Sequence, residues 1–158
     1  MGPLGIVINP TSGKGRGKAD GEVAKKEFAK HGIELVDLSA ESFSIASKNA
    51  TKAIKDKSIK GLIVVGGDGM FHLAVNAAAK TDVPVGLVSA GTGNDSARAL
   101  KLPILDVVAG VKHIVDHLKN TRLVDLIEST SDSKKFFSFG AVSAGFDALV
   151  NQRANTWK

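Results

Sequence analysis

The chain has no cysteine, which excludes disulfides and thiolate metal sites. It has no tyrosine, and aromatic residues are only 5% of it. Nucleic-acid binding wants basic residues interleaved with aromatic or groove-reading elements, so nucleic acid is not an expected partner. No window reaches 18 consecutive apolar residues, and a membrane-spanning helix is not expected. The first ten residues contain neither Lys nor Arg and no long apolar stretch follows, so no secretory leader is expected and the cytoplasm is the expected location. Internal repeats and low-complexity runs are absent as well. Negative charge is also in short supply, leaving a formal net charge of +5. Lys25, Lys26, Lys30, Lys48, Lys52, Lys55, Lys57 and Lys60 read mainly as solvated helix faces. A basic rim facing anionic lipid headgroups suits the excess better than nucleic acid does.

Glycine is plentiful by contrast, and it is placed at strand ends. The apolar run Gly61–Val65 leads into Gly66-Gly67-Asp68-Gly69 and then a helical pattern from Met70 to Lys80. Glycine lets bare backbone approach a ligand, and a helix start offers unpaired N–H groups to anionic oxygens. Asp68 among such donors suggests a hydroxyl proton or a metal ion as its partner; the plainer alternative is a tight turn whose Asp caps the helix. The first strand, Leu4–Ile8, runs into Asn9-Pro10-Thr11-Ser12-Gly13-Lys14-Gly15-Arg16-Gly17-Lys18, a flexible cationic loop that is not a Walker A motif. The strand Val85–Ser89 is followed by Ala90-Gly91-Thr92-Gly93-Asn94-Asp95 and a helix from Ser96 to Leu100. In open α/β sheets the ligand sits outside the carboxyl ends of the strands, so the three turns are expected to converge on one crevice that takes a phosphate-bearing nucleotide.

Strands alternate with helices, which predicts an α/β fold: a doubly wound, mainly parallel sheet flanked by helices. The pattern predicts a helix near Ala19–Lys30 with Val23 and Phe28 inward, and a strand over Ile33–Leu38. A helix near Ser44–Asp56 would bury Ile45, Ala46, Ala50, Ala53 and Ile54, and a strand is expected over Val83–Ser89. A later helix would carry Leu105, Val108, Val111, Val115 and Leu118 on one face. After Asn120 the character changes. Thr121–Glu128 reads as a strand, 129–134 as a turn and Phe136 onward as another strand, a β-hairpin. The expected division is a nucleotide-binding α/β domain over 1–120 and a hairpin region over 121–158.

Asn9-Pro10-Thr11-Ser12-Gly13, Gly66-Gly67-Asp68-Gly69 and Gly91-Thr92-Gly93-Asn94-Asp95-Ser96-Ala97-Arg98 together resemble the ordered motifs of the diacylglycerol kinase catalytic domain family. Leu102-Pro103, Val124-Asp125-Leu126 and Phe139 through Gly145-Phe146-Asp147-Ala148 fit it too. The resemblance implies an ATP-dependent lipid kinase that uses Mg²⁺ and transfers the γ-phosphoryl group to a diacylglycerol-like membrane lipid. It implies that residues 121–158 lead into a second, β-rich domain absent from this chain, which would leave the fragment inactive alone. Apolar surface left bare would then drive self-association, so a homodimer is expected, along with peripheral contact with the inner face of the membrane. Backbone N–H groups at Ser12, Gly13, Gly67 and Gly69 would cradle phosphates. Asn9 and Thr92 would hydrogen-bond the nucleotide, Lys14 or Arg16 would neutralise phosphate charge, and Asn94 and Asp95 would shape the third turn. Asp68 is the candidate catalytic residue, as general base or as a ligand of Mg²⁺ or a nucleotide hydroxyl. No dedicated protein metal site is expected.

Two departures stand out. Met70 occupies the place where most members have Thr, and Phe71-His72-Leu73 replaces the usual Leu-Asn-Glu. NAD kinase, a more distant relative, is the enzymatic alternative, but Gly-Thr-Gly-Asn-Asp followed by Ala97-Arg98 points to the lipid-kinase branch. A non-catalytic nucleotide sensor is the alternative from another class. His113 and His117 stand i, i+4 on a helix, a spacing able to hold zinc, but position 114 is Ile and no other ligand signature accompanies them. Trp157 is expected to pack in a larger protein.

Overall fold

The apolar runs of the sequence become the parallel strands of one sheet. The structure, a computed structural model, describes residues 2–143 and 145–156, and Trp157 lies outside them. In chain order the elements are β1 (Leu4–Ile8), the single turn α1 (Ser12–Gly15), α2 (Gly17–Lys30), β2 (Leu35–Asp37), α3 (Phe43–Lys55), β3 (Leu62–Gly66), α4 (Asp68–Ala78), β4 (Val85–Ser89), α5 (Asp95–Leu100), α6 (Val107–His117), β5 (Ile127–Ser131), β6 (Lys134–Ser138) and α7 (Phe146–Thr156). The main sheet has the order β2-β1-β3-β4 with every pair parallel. Strands buried on both faces read as unbroken apolar runs, and β1 and β3 are of that kind.

Helices cover both faces. Leu4, Ile6, Ile63, Val65 and Val88 point to the side where α2 and α6 supply Ala24, Phe28, Val111 and Ile114. Val7, Leu62, Val64 and Leu87 point to the other, where α3 and α4 supply Ala50, Ile54, Phe71, Leu73 and Ala74. The fold is the expected doubly wound α/β arrangement.

Several details differ from the sequence pattern. Val23, Ile45 and Val108 are exposed at 42%, 46% and 48%, because each helix buries only a narrow stripe and the tertiary contacts choose its centre. Leu105 is exposed at φ 57 ahead of α6, whose N-cap is Asp106, accepting from the Ala109 N–H at 2.9 Å. This start centres the inward face on Val107, Val111, Ile114, Val115 and Leu118. Both α2 and α4 begin two residues earlier than the pattern suggests, at Gly17 and Asp68.

Residues 121–126 form no strand. The hairpin pairs Ile127–Ser131 with Lys134–Ser138, and its turn is the two residues Asp132 and Ser133, both at positive φ. A two-residue loop of this hand matches the strand twist, which is why the turn is shorter than the polar run 129–134 suggests. The hairpin docks on α4 rather than on the sheet. The Asn76 amide donates to the Phe137 carbonyl at 2.8 Å and accepts from the Phe137 N–H at 2.9 Å, standing in for a neighbouring strand. Phe71 meets Phe139 edge-on with ring centroids 5.5 Å apart.

Glu128 takes ion pairs from Lys80 and Lys135. Hydrogen bonds from Lys135 and then Lys80 pull its carboxyl from the ordinary 4.5 down to about 2. A carboxyl depressed on folding lends stability above its unfolded pKa and loses it as pH falls through the folded one. Docking of the hairpin is therefore expected to be indifferent to pH above 4.5 and to loosen between 4.5 and about 2, seen as a titrating amide shift at Phe137.

Candidate functional site

The strand order reverses between β1 and β3, the position where doubly wound sheets open a crevice at their carboxyl ends. The three glycine-rich turns leave β1, β3 and β4 at that edge, and the structure brings them into contact. A Cβ added to Gly91 would lie 2.3 Å from the Gly67 Cα, so the second and third turns touch backbone to backbone. A Cβ on Gly13 would lie 2.7 Å from the Ala90 carbonyl oxygen, which seats the first turn against the third.

The first turn is organised by Asn9. Its Oδ1 accepts from the Thr11 N–H at 3.1 Å and the Thr11 hydroxyl at 2.9 Å, so the amide oxygen is used within the loop. The Asn9 carbonyl accepts from the Ser12 hydroxyl at 2.9 Å, and Gly17 packs on that carbonyl where no Cβ would fit. Gly13 and Lys14 are both left-handed, at φ 56 and 61. Pro10, Lys14, Arg16 and Lys18 are exposed.

Asp68 opens α4, yet its carboxylate caps a different helix. It accepts from the Ser96 N–H at 2.8 Å and the Asp95 N–H at 3.2 Å, at the start of α5. Burial pushes the Asp68 carboxyl up, but the Ser96 N–H and hydroxyl, with the N–H groups of Asp95 and Asn94, outweigh it and hold the group below the usual carboxylate range. The start of α5 is thereby already neutralised by an anion of the protein. The head of α4 is not: among the described residues the N–H groups of Asp68 and Gly69 have no acceptor, and a Cβ on Gly69 would meet nothing within 4 Å. The space beside Gly69 is open.

In the third turn Asn94 is buried in a left-handed conformation. Its amide accepts from the Gly91 N–H at 2.9 Å and donates to the Gly91 carbonyl at 2.8 Å, closing the turn on itself. Thr92 and Gly93 are exposed at its tip, and the Asp95 side chain stands in solvent beside Arg98. Among the described residues no group of three or more His, Cys, Asp or Glu side chains could hold a metal. The donor set thus suits Mg²⁺ only when phosphate oxygens supply most of its ligands, the usual habit of that ion with nucleotides.

The unusual residues of the second motif turn inward. Met70 is buried in the core and packs over Gly66, and Leu73 is fully buried, while His72 is exposed. Met70→Thr is expected to destabilise the fold by about 2 kcal/mol, because it removes apolar volume and buries a hydroxyl, as urea denaturation would read. His113 and His117 stack at 4.3 Å on α6, far from the turns. A cavity of about 440 Å³ lined by His31, Glu34, Asp116 and Lys119 lies at the amino-terminal edge of the sheet, opposite the crevice.

The pattern of glycines locates the turns but misses two ties between them: Asp68 to α5, and Arg98 to the Gly93 carbonyl and Asp95. The i, i+3 spacing of Asp95 and Arg98 is the one local signal of the second.

Residues 3–128 match the diacylglycerol kinase catalytic domain. The chain is 33% identical over 156 residues to a diacylglycerol kinase of Mycobacterium tuberculosis, covering 98% of this chain and 50% of that protein. It is 34% identical over 113 residues to one from Staphylococcus aureus, covering 70% of this chain and 35% of that protein. A crystal structure of a diacylglycerol kinase from Bacillus anthracis superposes with a TM-score of 0.62 at 21% identity, over 73% of this chain and 40% of that one, which shows a common fold. The chain spans about half the length of the first of these relatives. Among the described residues no helix is long and apolar enough to cross a membrane.

Proposed function

Because the chain belongs to the diacylglycerol kinase catalytic domain family, we propose that it is the nucleotide-holding part of an ATP-dependent kinase acting on a diacylglycerol-like lipid alcohol. The observation that carries this reading is the meeting of Gly13, Gly67 and Gly91 at the carboxyl ends of three adjacent strands, beside a helix head with unpaired N–H groups. Phosphoryl transfer asks the protein for positioning and charge neutralisation more than for covalent chemistry.

In this reading the N–H groups of Asp68 and Gly69 take phosphate oxygens, Thr92 offers its hydroxyl and N–H from the tip of the third turn, and Lys14 and Arg16 neutralise charge from the first. Mg²⁺ carried in with the nucleotide would offset the charge of the phosphates, whose oxygens would supply most of its ligands. Asp68 holds the third turn against the second, its oxygens accepting from the Asp95 and Ser96 N–H groups. With these bonds in place its carboxyl is held below the usual carboxylate range. The cationic first loop also suits anionic headgroups at a membrane surface.

Calorimetric titration of Mg·ATP and of adenosine into this chain tests the reading. Saturable one-to-one binding of Mg·ATP, with adenosine much weaker, is expected. No binding of Mg·ATP at millimolar concentration by the folded chain overturns it.

A further inference from the structure

Arg98 lies one turn into α5, and neither the glycine pattern nor the phosphate contacts give it a task. Its Nη1 donates to the Gly93 carbonyl and, at 2.9 Å, to the Asp95 carboxylate. The peptide unit joining Gly93 to Asn94 is therefore held from the side of its oxygen. On the other side stands Asp68, whose Oδ2 lies 3.1 Å from where a Gly93 Cβ would be; the Asn94 N–H of this same peptide is among the donors that hold its carboxyl low, beside the N–H groups of Asp95 and Ser96. A peptide carbonyl and the following N–H point in opposite directions, so a cation on one side and an anion on the other select one of the two ways the unit can face.

Without that selection the choice is weakly determined. Gly93 has no Cβ and Asn94 already sits in the left-handed region at φ 60, a pairing for which a peptide flip costs little. The flipped unit would aim the Gly93 oxygen toward Asp68 and the crevice. It would set a partial negative charge where a phosphate is to bind, and it would release Asp95, an exposed carboxylate, to repel the same group.

Resting on the nucleotide site proposed above, we propose that Arg98 is a positioning residue: it locks the Gly93–Asn94 peptide with its oxygen turned away from the phosphate crevice and keeps Asp95 off the nucleotide. The planar guanidinium sets Nη1 between both acceptors. A lysine supplies the charge without the geometry.

Arg98→Ala and Arg98→Lys test this by amide exchange over Gly93–Ser96 and by titration with Mg·ATP and adenosine. Loss of a charge-assisted pair of this kind corresponds to about a tenfold effect. Exchange at Asn94 and Asp95 is expected to quicken by about that factor in Arg98→Ala, with Mg·ATP binding about tenfold weaker and adenosine binding unchanged. Arg98→Lys is expected to recover less than half of either loss. Unchanged exchange at Asn94 and Asp95 in Arg98→Ala overturns the proposal. So does full recovery of Mg·ATP binding by Arg98→Lys while exchange stays fast, since charge alone would then be the cause. If the unaltered chain binds no Mg·ATP, the nucleotide site falls, and the exchange result still decides whether Arg98 locks the turn.

Discussion

Gly91→Ala is expected to destabilise the fold by about 3 kcal/mol or more and to abolish Mg·ATP binding at concentrations that saturate the unaltered chain. The added Cβ would lie 2.3 Å from the Gly67 Cα, 2.9 Å from the Gly67 N and 2.8 Å from the Asn94 Oδ1. Two of these are backbone atoms at the end of β3, whose ladder with β4 extends to the Gly66–Ser89 pair and holds both turns in register. No rotamer change relieves the clash, so the turns must separate, and with them the crevice. Gly69→Ala is the informative contrast. Its Cβ would meet nothing within 4 Å, and alanine is the better helix former, so stability is expected to hold or to rise by up to about 1 kcal/mol. Mg·ATP binding should weaken nonetheless, because the methyl group occupies the space proposed for a phosphate. Urea denaturation together with calorimetry on both variants separates a folding defect from a binding defect. Equal stability of Gly91→Ala and the unaltered chain would refute the close approach of the two turns.

Asp68→Ala is expected to weaken Mg·ATP binding at least about tenfold and to cost about 1–3 kcal/mol of stability, the usual range when a charged acceptor is taken from donors it satisfies. The substitution leaves the N–H groups of Asp95 and Ser96 without their partner and cuts the tie from the second turn to the third. Asp68→Asn keeps one acceptor oxygen and should fall between the two. The depressed carboxyl gives the pH dependence its sign. Its contribution is complete above the ordinary carboxylate range and is lost only as pH falls below it, so no step in nucleotide affinity from Asp68 is expected near neutrality. A step near pH 7 that disappears in Asp68→Asn would instead favour a proton-accepting role.

Much of this molecule is legible in one dimension. The runs Leu4–Ile8 and Leu62–Val65 are apolar on both faces because helices cover both sides of the sheet, and they could be little else than central strands. The turns that follow them announce themselves through glycine, since only glycine lets the main chains of residues 67 and 91 touch. Which helix face goes inward is less legible. Val23, Ile45 and Val108 fit the periodicity and yet point to solvent, because a stripe of about 100° leaves room for more than one centre and the neighbouring helix decides.

The alternation of strands and helices, the positions of the three turns and the family motifs they carry can be read from residue order. Those depend on local chemistry: apolar period, absence of a Cβ, helix starts and stops. What the polar side chains at the turns do emerges only once the chain is packed. Asp68 caps a helix that begins 27 residues later, and Asn76 binds the backbone of a strand 61 residues away. Asn9 spends its amide oxygen, and Asn94 its whole amide, inside their own turns. A carboxylate or an amide can accept from a ligand or from the protein with equal chemical ease, and sequence order does not say which donor arrives first. That is settled by which N–H groups the packed sheet and helices bring within 3 Å or so, a long-range outcome of folding rather than a property of any motif.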